Sequence, residues 1–165
     1  MSWYNKPALR TTGIVLLAVA VTQITQIFLF VLISSLLAGR TDMSPGIINV
    51  LTLAPTVLAV LLGGAFLGRI LPNQRYIQWA SGAVGSAILP FILQLLMSPE
   101  HIDMMMNSRF LVTALGNLAL FFAGCWMGSA SQNKWSDVEF DKNLLRWTAG
   151  ITGVILVLYI ATWSS

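Results

Sequence analysis

The stretch Thr11–Gly39, TTGIVLLAVAVTQITQIFLFVLISSLLAG, carries no charged side chain from one end to the other. A helix needs about 20 apolar residues to cross roughly 30 Å of hydrocarbon, so this run alone is long enough for a membrane span. Four more uncharged runs follow, Met43–Gly68, Tyr76–Pro99, Phe110–Asn133 and Trp147–Ser165, and even the last and shortest is close to span length. Every ionisable residue lies between these runs or near the N-terminus. The pattern reads as an all-α integral membrane protein, a five-span antiparallel helix bundle with spans at about 13–38, 46–68, 77–97, 110–130 and 147–163 in a single transmembrane domain over 1–165. Connections this short between successive spans favour antiparallel neighbours.

Composition agrees. The 165 residues are 56% apolar and 9% charged, against about 25% charged in an ordinary soluble domain. The net charge of +3 comes from nine Lys and Arg residues spread over the span ends, which is a topology signal and not a nucleic-acid footprint. Cys125 is the one cysteine; it forms no disulfide framework or Cys-based metal site and reads as a small buried hydrophobe. The first apolar run is about twice as long as the 7–15 residues of a signal-peptide core, so it reads as a retained span.

Charge also orients the chain. Lys6, Arg10, Arg69, Arg75, Lys134, Lys142 and Arg146 fall on one side and only Arg40 and Arg109 on the other. By the positive-inside rule the N-terminus is cytoplasmic and the C-terminus outside, in a multi-pass protein of the cell inner membrane. Trp3, Tyr4, Tyr76, Trp79, Trp126, Trp135 and Trp147 then gather at the inner interface, with Trp163 at the outer one. Two linkers carry helix-start signals. Ser98-Pro99-Glu100 reads as an N-cap with Pro at the first helical position. Ser136 and Glu139 have capping-box spacing, with Trp135 and Phe140 as a hydrophobic staple, so the last helix should begin near Asp137, well before its span.

Laid over one another, 49–73 and 109–133 match Leu51, Ala54, Leu58, Ala59, Gly64, Gly68 and Asn73 with Leu111, Ala114, Leu118, Ala119, Gly124, Gly128 and Asn133. Either a two-helix unit (spans 1–2 and 3–4) is used twice and closed by a fifth helix, or two Leu-, Ala- and Gly-rich helices match by composition. Both copies end in a Gly-x-x-x-Gly, Gly64 to Gly68 and Gly124 to Gly128. Residues four apart share a helix face, and glycines there let a second backbone approach closely. Ser81 with Gly85, Gly82 with Ser86 and Ala149 with Gly153 offer weaker faces of the same kind.

No Asp, Glu, Lys, Arg or His falls within a span, which argues against proton pumps, ion-coupled carriers and voltage sensors. A single histidine, His101, excludes a bis-His haem site, and no HExxH, phosphate loop or G-x-S-x-G is present. The polar residues near midplane are Thr22, Gln23, Thr25 and Gln26 in span 1, Thr56 beside Pro55 in span 2, and Asn117 in span 4. Gln23, Gln26 and Asn117 are the candidate polar site; their ordinary reading is interhelical hydrogen bonding at roughly 0.6–2 kcal/mol each. Pro55 and Pro90 should each remove a helical hydrogen bond and kink a span. Met97, His101, Met104, Met105 and Met106 have soft-ligand spacing that suits Cu(I), but are equally plain interfacial residues.

The expectation is a non-enzymatic protein without a cofactor, in contact with the lipid bilayer. It works as an accessory or structural subunit by helix packing against itself or other membrane subunits, with no nucleic-acid partner. The alternative is a small solute transporter, or the membrane component of one, whose site is the Gln23, Gln26 and Asn117 region.

Overall fold

The computed structural model describes residues 7–38, 44–71, 76–97, 108–135 and 137–163. They form five helices: α1 (Pro7–Leu37), α2 (Pro45–Ile70), α3 (Tyr76–Met97), α4 (Ser108–Lys134) and α5 (Val138–Trp163). No strand occurs among the described residues. Three helical stretches, Leu9–Leu37, Leu53–Ile70 and Val112–Lys134, are long and apolar enough to cross a membrane.

Several helices outrun the charge-free runs. Regular backbone hydrogen bonding continues past the apolar stretch wherever the local residues can cap it. α2 starts at Ser44-Pro45, where proline's missing N–H falls on a position that has no intrahelical acceptor. α5 starts at Val138, well before the charge-free run that opens at Trp147, and its cap differs from the expected one. The Oδ1 of Asp137 accepts the N–H groups of Glu139 and Phe140 at 2.9 and 3.0 Å, so Asp137 is the N-cap. Ser136, expected to hold that role, lies outside the described residues, as do the Ser98-Pro99-Glu100 start, His101 and Met104 to Met106.

α2 and α4 make the most extensive contact of any helix pair, followed by α1 with α2; α3 packs on both α1 and α4. Gly64 lies against Phe121 O and Cys125 N, and Gly68 against Cys125 O. From the other side Gly124 lies against Leu61 O and Ala65 N, and Gly128 against Ala65 O. Residue numbers rise together across this contact, so α2 and α4 run parallel. A Cβ at any of the four positions would overlap backbone of the facing helix, and backbone cannot swing aside as a side chain can. Gly63 meets Thr22 and Ala18 of α1, and Gln26 meets Thr56; numbers fall on one helix as they rise on the other, so α1 and α2 are antiparallel.

The core gathers at one end. Ile14, Val15 and Ala18 of α1, Val60, Phe66 and Leu67 of α2, Trp79 and Ala83 of α3, and Phe121 and Cys125 of α4 are buried together. Trp79, expected at the lipid interface, is 3% exposed and donates from Nε1 to Leu71 O at 3.2 Å. That bond serves a carbonyl just past the end of α2, which is why this tryptophan turns inward while Trp126, Trp135 and Trp147 stay exposed. Toward the other end α1 shows Ile27, Phe28, Phe30, Val31, Leu32 and Leu36 to the outside.

Alanine is therefore already too large at the glycine contact. Gly68→Ala and Gly128→Ala should each cost about 1–3 kcal/mol through overpacking. Gly150→Ala, where nothing lies within 4 Å, should be neutral or slightly stabilising. Thermal unfolding of the full chain in detergent measures all three, and equal melting temperatures across the set would remove the close α2–α4 approach.

Candidate functional site

Thr22, Gln23 and Gln26 of α1 do not converge on a shared space; each bonds in a different direction. Thr22 is fully buried and donates to Ala18 O at 2.9 Å, within its own helix. Gln26 donates from Nε2 to Thr56 Oγ1 of α2 at 3.1 Å. Gln23 donates from Nε2 to the backbone carbonyl of Ser86 on α3 at 3.2 Å.

The Gln23 bond has a specific cause. In a helix the carbonyl of residue 86 would accept from the N–H of residue 90, but Pro90 has no N–H and its ring crowds that carbonyl. Ser86 O is thus left without its helical donor by the proline, and a side-chain amide from the neighbouring helix supplies one. Helix α3 continues through Pro90 to Met97. Re-satisfying a freed carbonyl in this way is what makes proline tolerable within an apolar helix.

Asn117 is not brought to the glutamines. It is half-buried on α4, and α4 packs on α2 and α3 without an extended contact to α1. Among the described residues no buried side-chain nitrogen or oxygen lacks a hydrogen-bond partner. No group of three or more His, Cys, Asp or Glu side chains gathers there either. A groove of about 790 Å³ lies between α1 and α3. Thr11, Thr12, Gln78 and Ser81 line it toward one end, and the rest of its lining is aliphatic apart from Gly85; Gln23, Gln26 and Asn117 do not line it.

A second polar centre lies where α2, α4 and α5 meet. Arg69 donates from Nε to Asp141 Oδ1 at 2.6 Å, from Nη1 to Ser131 Oγ at 2.9 Å and from Nη2 to Trp135 O at 3.2 Å. Its guanidinium also stands over the Phe140 ring at 4.9 Å. Both partners of the ion pair are less than a fifth exposed. One planar fork therefore ties the end of α2 to the α4–α5 junction. In the sequence Arg69 is only a topology charge, because Asp141 lies three helices further along the chain and no local pattern links the two. No protein-family model, curated protein or solved structure matches this chain.

The two glutamines should differ on mutation. Gln26→Leu leaves the Thr56 hydroxyl free to bond the carbonyl four residues earlier, and should cost about 1 kcal/mol or less. Gln23→Leu leaves Ser86 O without a donor in an apolar setting and should cost about 1–3 kcal/mol. In a Pro90→Ala background the restored N–H serves that carbonyl, so the added cost of Gln23→Leu should largely vanish. A thermal-unfolding double-mutant cycle checks this, and additive effects of the two changes would contradict it.

Proposed function

We propose that this chain is a non-enzymatic, multi-pass protein of the cell inner membrane that acts as an accessory or structural subunit, by helix packing against itself or other membrane subunits. Its five helices would form an up-down bundle of five spans in one transmembrane domain, with the N-terminus cytoplasmic and the C-terminus outside. The observation that carries this reading is the disposition of the midplane amides. Gln23 and Gln26 are engaged by α3 and α2, which favours a packing role over a polar passage for solute. A carrier would keep such groups facing a water-filled space. The exposed apolar residues of α1 from Ile27 to Leu36 offer surface on which lipid or a partner helix can lie.

The reciprocal contacts of Gly64 and Gly68 with the helix that carries Gly124 and Gly128 support a two-helix unit used twice. α1–α2 and α3–α4 would be related by an axis along the helices, with α5 closing the set.

Two measurements on the full chain test this. Reporter fusions after Ser165 should be periplasmic and fusions at Gln132 cytoplasmic; both on one side would eliminate the fifth span. Mild-detergent purification from native membranes should bring down a defined membrane protein, or a second copy of this chain, in fixed ratio. A monodisperse monomer with no companion, combined with rapid labelling of Gln26→Cys in a Cys125→Ala background by a membrane-impermeant thiol reagent, would favour the carrier reading instead.

A further inference from the structure

We infer that α5 is a strap on the α1–α4 body, latched by Arg69 at its first turn, and that it lifts as a unit when either charge of the latch is lost. The inference goes beyond the packing role proposed above and does not depend on which way the chain is oriented in a membrane. Three observations carry it.

The first is where the core lies. Its buried residues come from α1, α2, α3 and α4, and none of the described side chains of α5, Val138 to Val154, is fully buried. Asp141, Leu144, Leu145, Thr148 and Thr152 are half-buried and share one face; Leu144 and Leu145 pack on the edge of the core. Trp147, Ile151 and Val154 are exposed. Gly150 and Gly153 have nothing within 4 Å, so the close backbone approach that joins α2 to α4 is not repeated there. Among the described residues, the contacts of α5 with α1 and α2 are slight beside those that α1 to α4 make with one another through α1–α2, α2–α4, α1–α3 and α3–α4. An element with few buried apolar contacts opens locally at a lower free energy than the whole fold.

The second is that α5 carries bonds of its own that do not depend on docking. Asp137 Oδ1 caps its start through the N–H groups of Glu139 and Phe140, and Thr148 donates to Leu144 O within the helix. The helix therefore keeps its cap when it moves.

The third is how the latch divides. Arg69 is held to α4 by its bonds to Ser131 Oγ and Trp135 O, and it engages α5 through Asp141 and the Phe140 ring. The guanidinium thus belongs to the body, and the latch parts between it and α5. Both charges are less than a fifth exposed, and a charge left there without its partner is strongly destabilising. For Asp141 the relief is to carry the start of α5 into water.

The test is pulsed electron paramagnetic resonance on the full chain in nanodiscs, in a Cys125→Ala background. Spin labels at Met127→Cys on α4 and Val154→Cys on α5 report the strap, and labels at Leu58→Cys and Met127→Cys report the α2–α4 body; all three positions are exposed. With the latch intact, the α4–α5 pair should give one narrow distance distribution. Arg69→Gln should add a population at longer distances. Asp141→Asn should add a smaller one, because its amide oxygen still accepts from Arg69. Arg69→Lys should also open the strap, since one ammonium does not reproduce the planar fork. The α2–α4 distribution should stay the same throughout. An α4–α5 distribution that stays narrow in these variants would overturn the inference, and so would loosening of the α2–α4 pair along with it, because α5 would then not move as a separate unit. If Arg69→Gln does not fold, Asp141→Asn and Arg69→Lys decide by the same two distances.

Discussion

The backbone-to-backbone approach of α2 and α4 is the contact on which the other packing relations depend. In the membrane placement proposed above, side-chain hydrophobicity would do little to hold helices together, and association would rely on dispersion contact and on hydrogen bonds. Gly64, Gly68, Gly124 and Gly128 let carbonyls of one helix rest where the side chains of the other would be. The contact is reciprocal in detail: Gly64 meets Phe121 and Gly124 meets Leu61, Gly68 meets Cys125 and Gly128 meets Ala65. The two members of each pair are related by the same offset that aligns 49–73 with 109–133. With α2 and α4 so close, Phe121 and Leu67 reach Gly82 of α3, and α1 is left to pack on α2 and α3.

Around that pair, the polar groups act as fasteners at separate points. Gln23 answers the carbonyl freed by Pro90, Gln26 links α1 to α2 through Thr56, and Trp79 serves the carbonyl of Leu71 just beyond α2. Arg69 does the same for the α4–α5 junction, with three hydrogen bonds and an aromatic face. In each case the donor comes from one helix and the acceptor from another, or from the end of one. These bonds fix how helices are rotated about their axes, which the glycine contact alone does not settle for α1, α3 and α5.

The helices are legible in the sequence because the absence of charge over a span's length is a strong, one-dimensional signal, and the early start of α5 is legible because capping chemistry is local. The glycine spacing is equally plain, but which helix each glycine faces is not. Depth along a helix can be counted from the sequence, whereas azimuth depends on packing; counting depth alone groups Asn117 with Gln23 and Gln26, although α4 does not pack extensively on α1. Proline's effect on its own helix is foreseeable. The side chain that compensates it belongs to α1, two helices away in the chain from Ser86, and no local pattern marks such a pair. Arg69 reads as a topology charge for the same reason, since Ser131, Trp135 and Asp141 come together around it only in three dimensions. Residue type places Trp79 at the lipid interface, but the carbonyl of Leu71 draws it into the core.

The chain has a single cysteine, Cys125, and its carbonyl lies on the α2–α4 contact against Gly68. Carbonyl-13C cysteine therefore labels one backbone carbonyl in the whole protein, and Cα-13C glycine labels the positions it should meet. Solid-state NMR of the full chain in bilayers should show short-range transfer from Cys125 to Gly68 on the other helix, alongside transfer to Gly124 and Gly128 on its own. Transfer to Gly124 and Gly128 with none to Gly68 would mean that α2 and α4 do not meet through their glycines, and the account of how this protein is held together would be wrong.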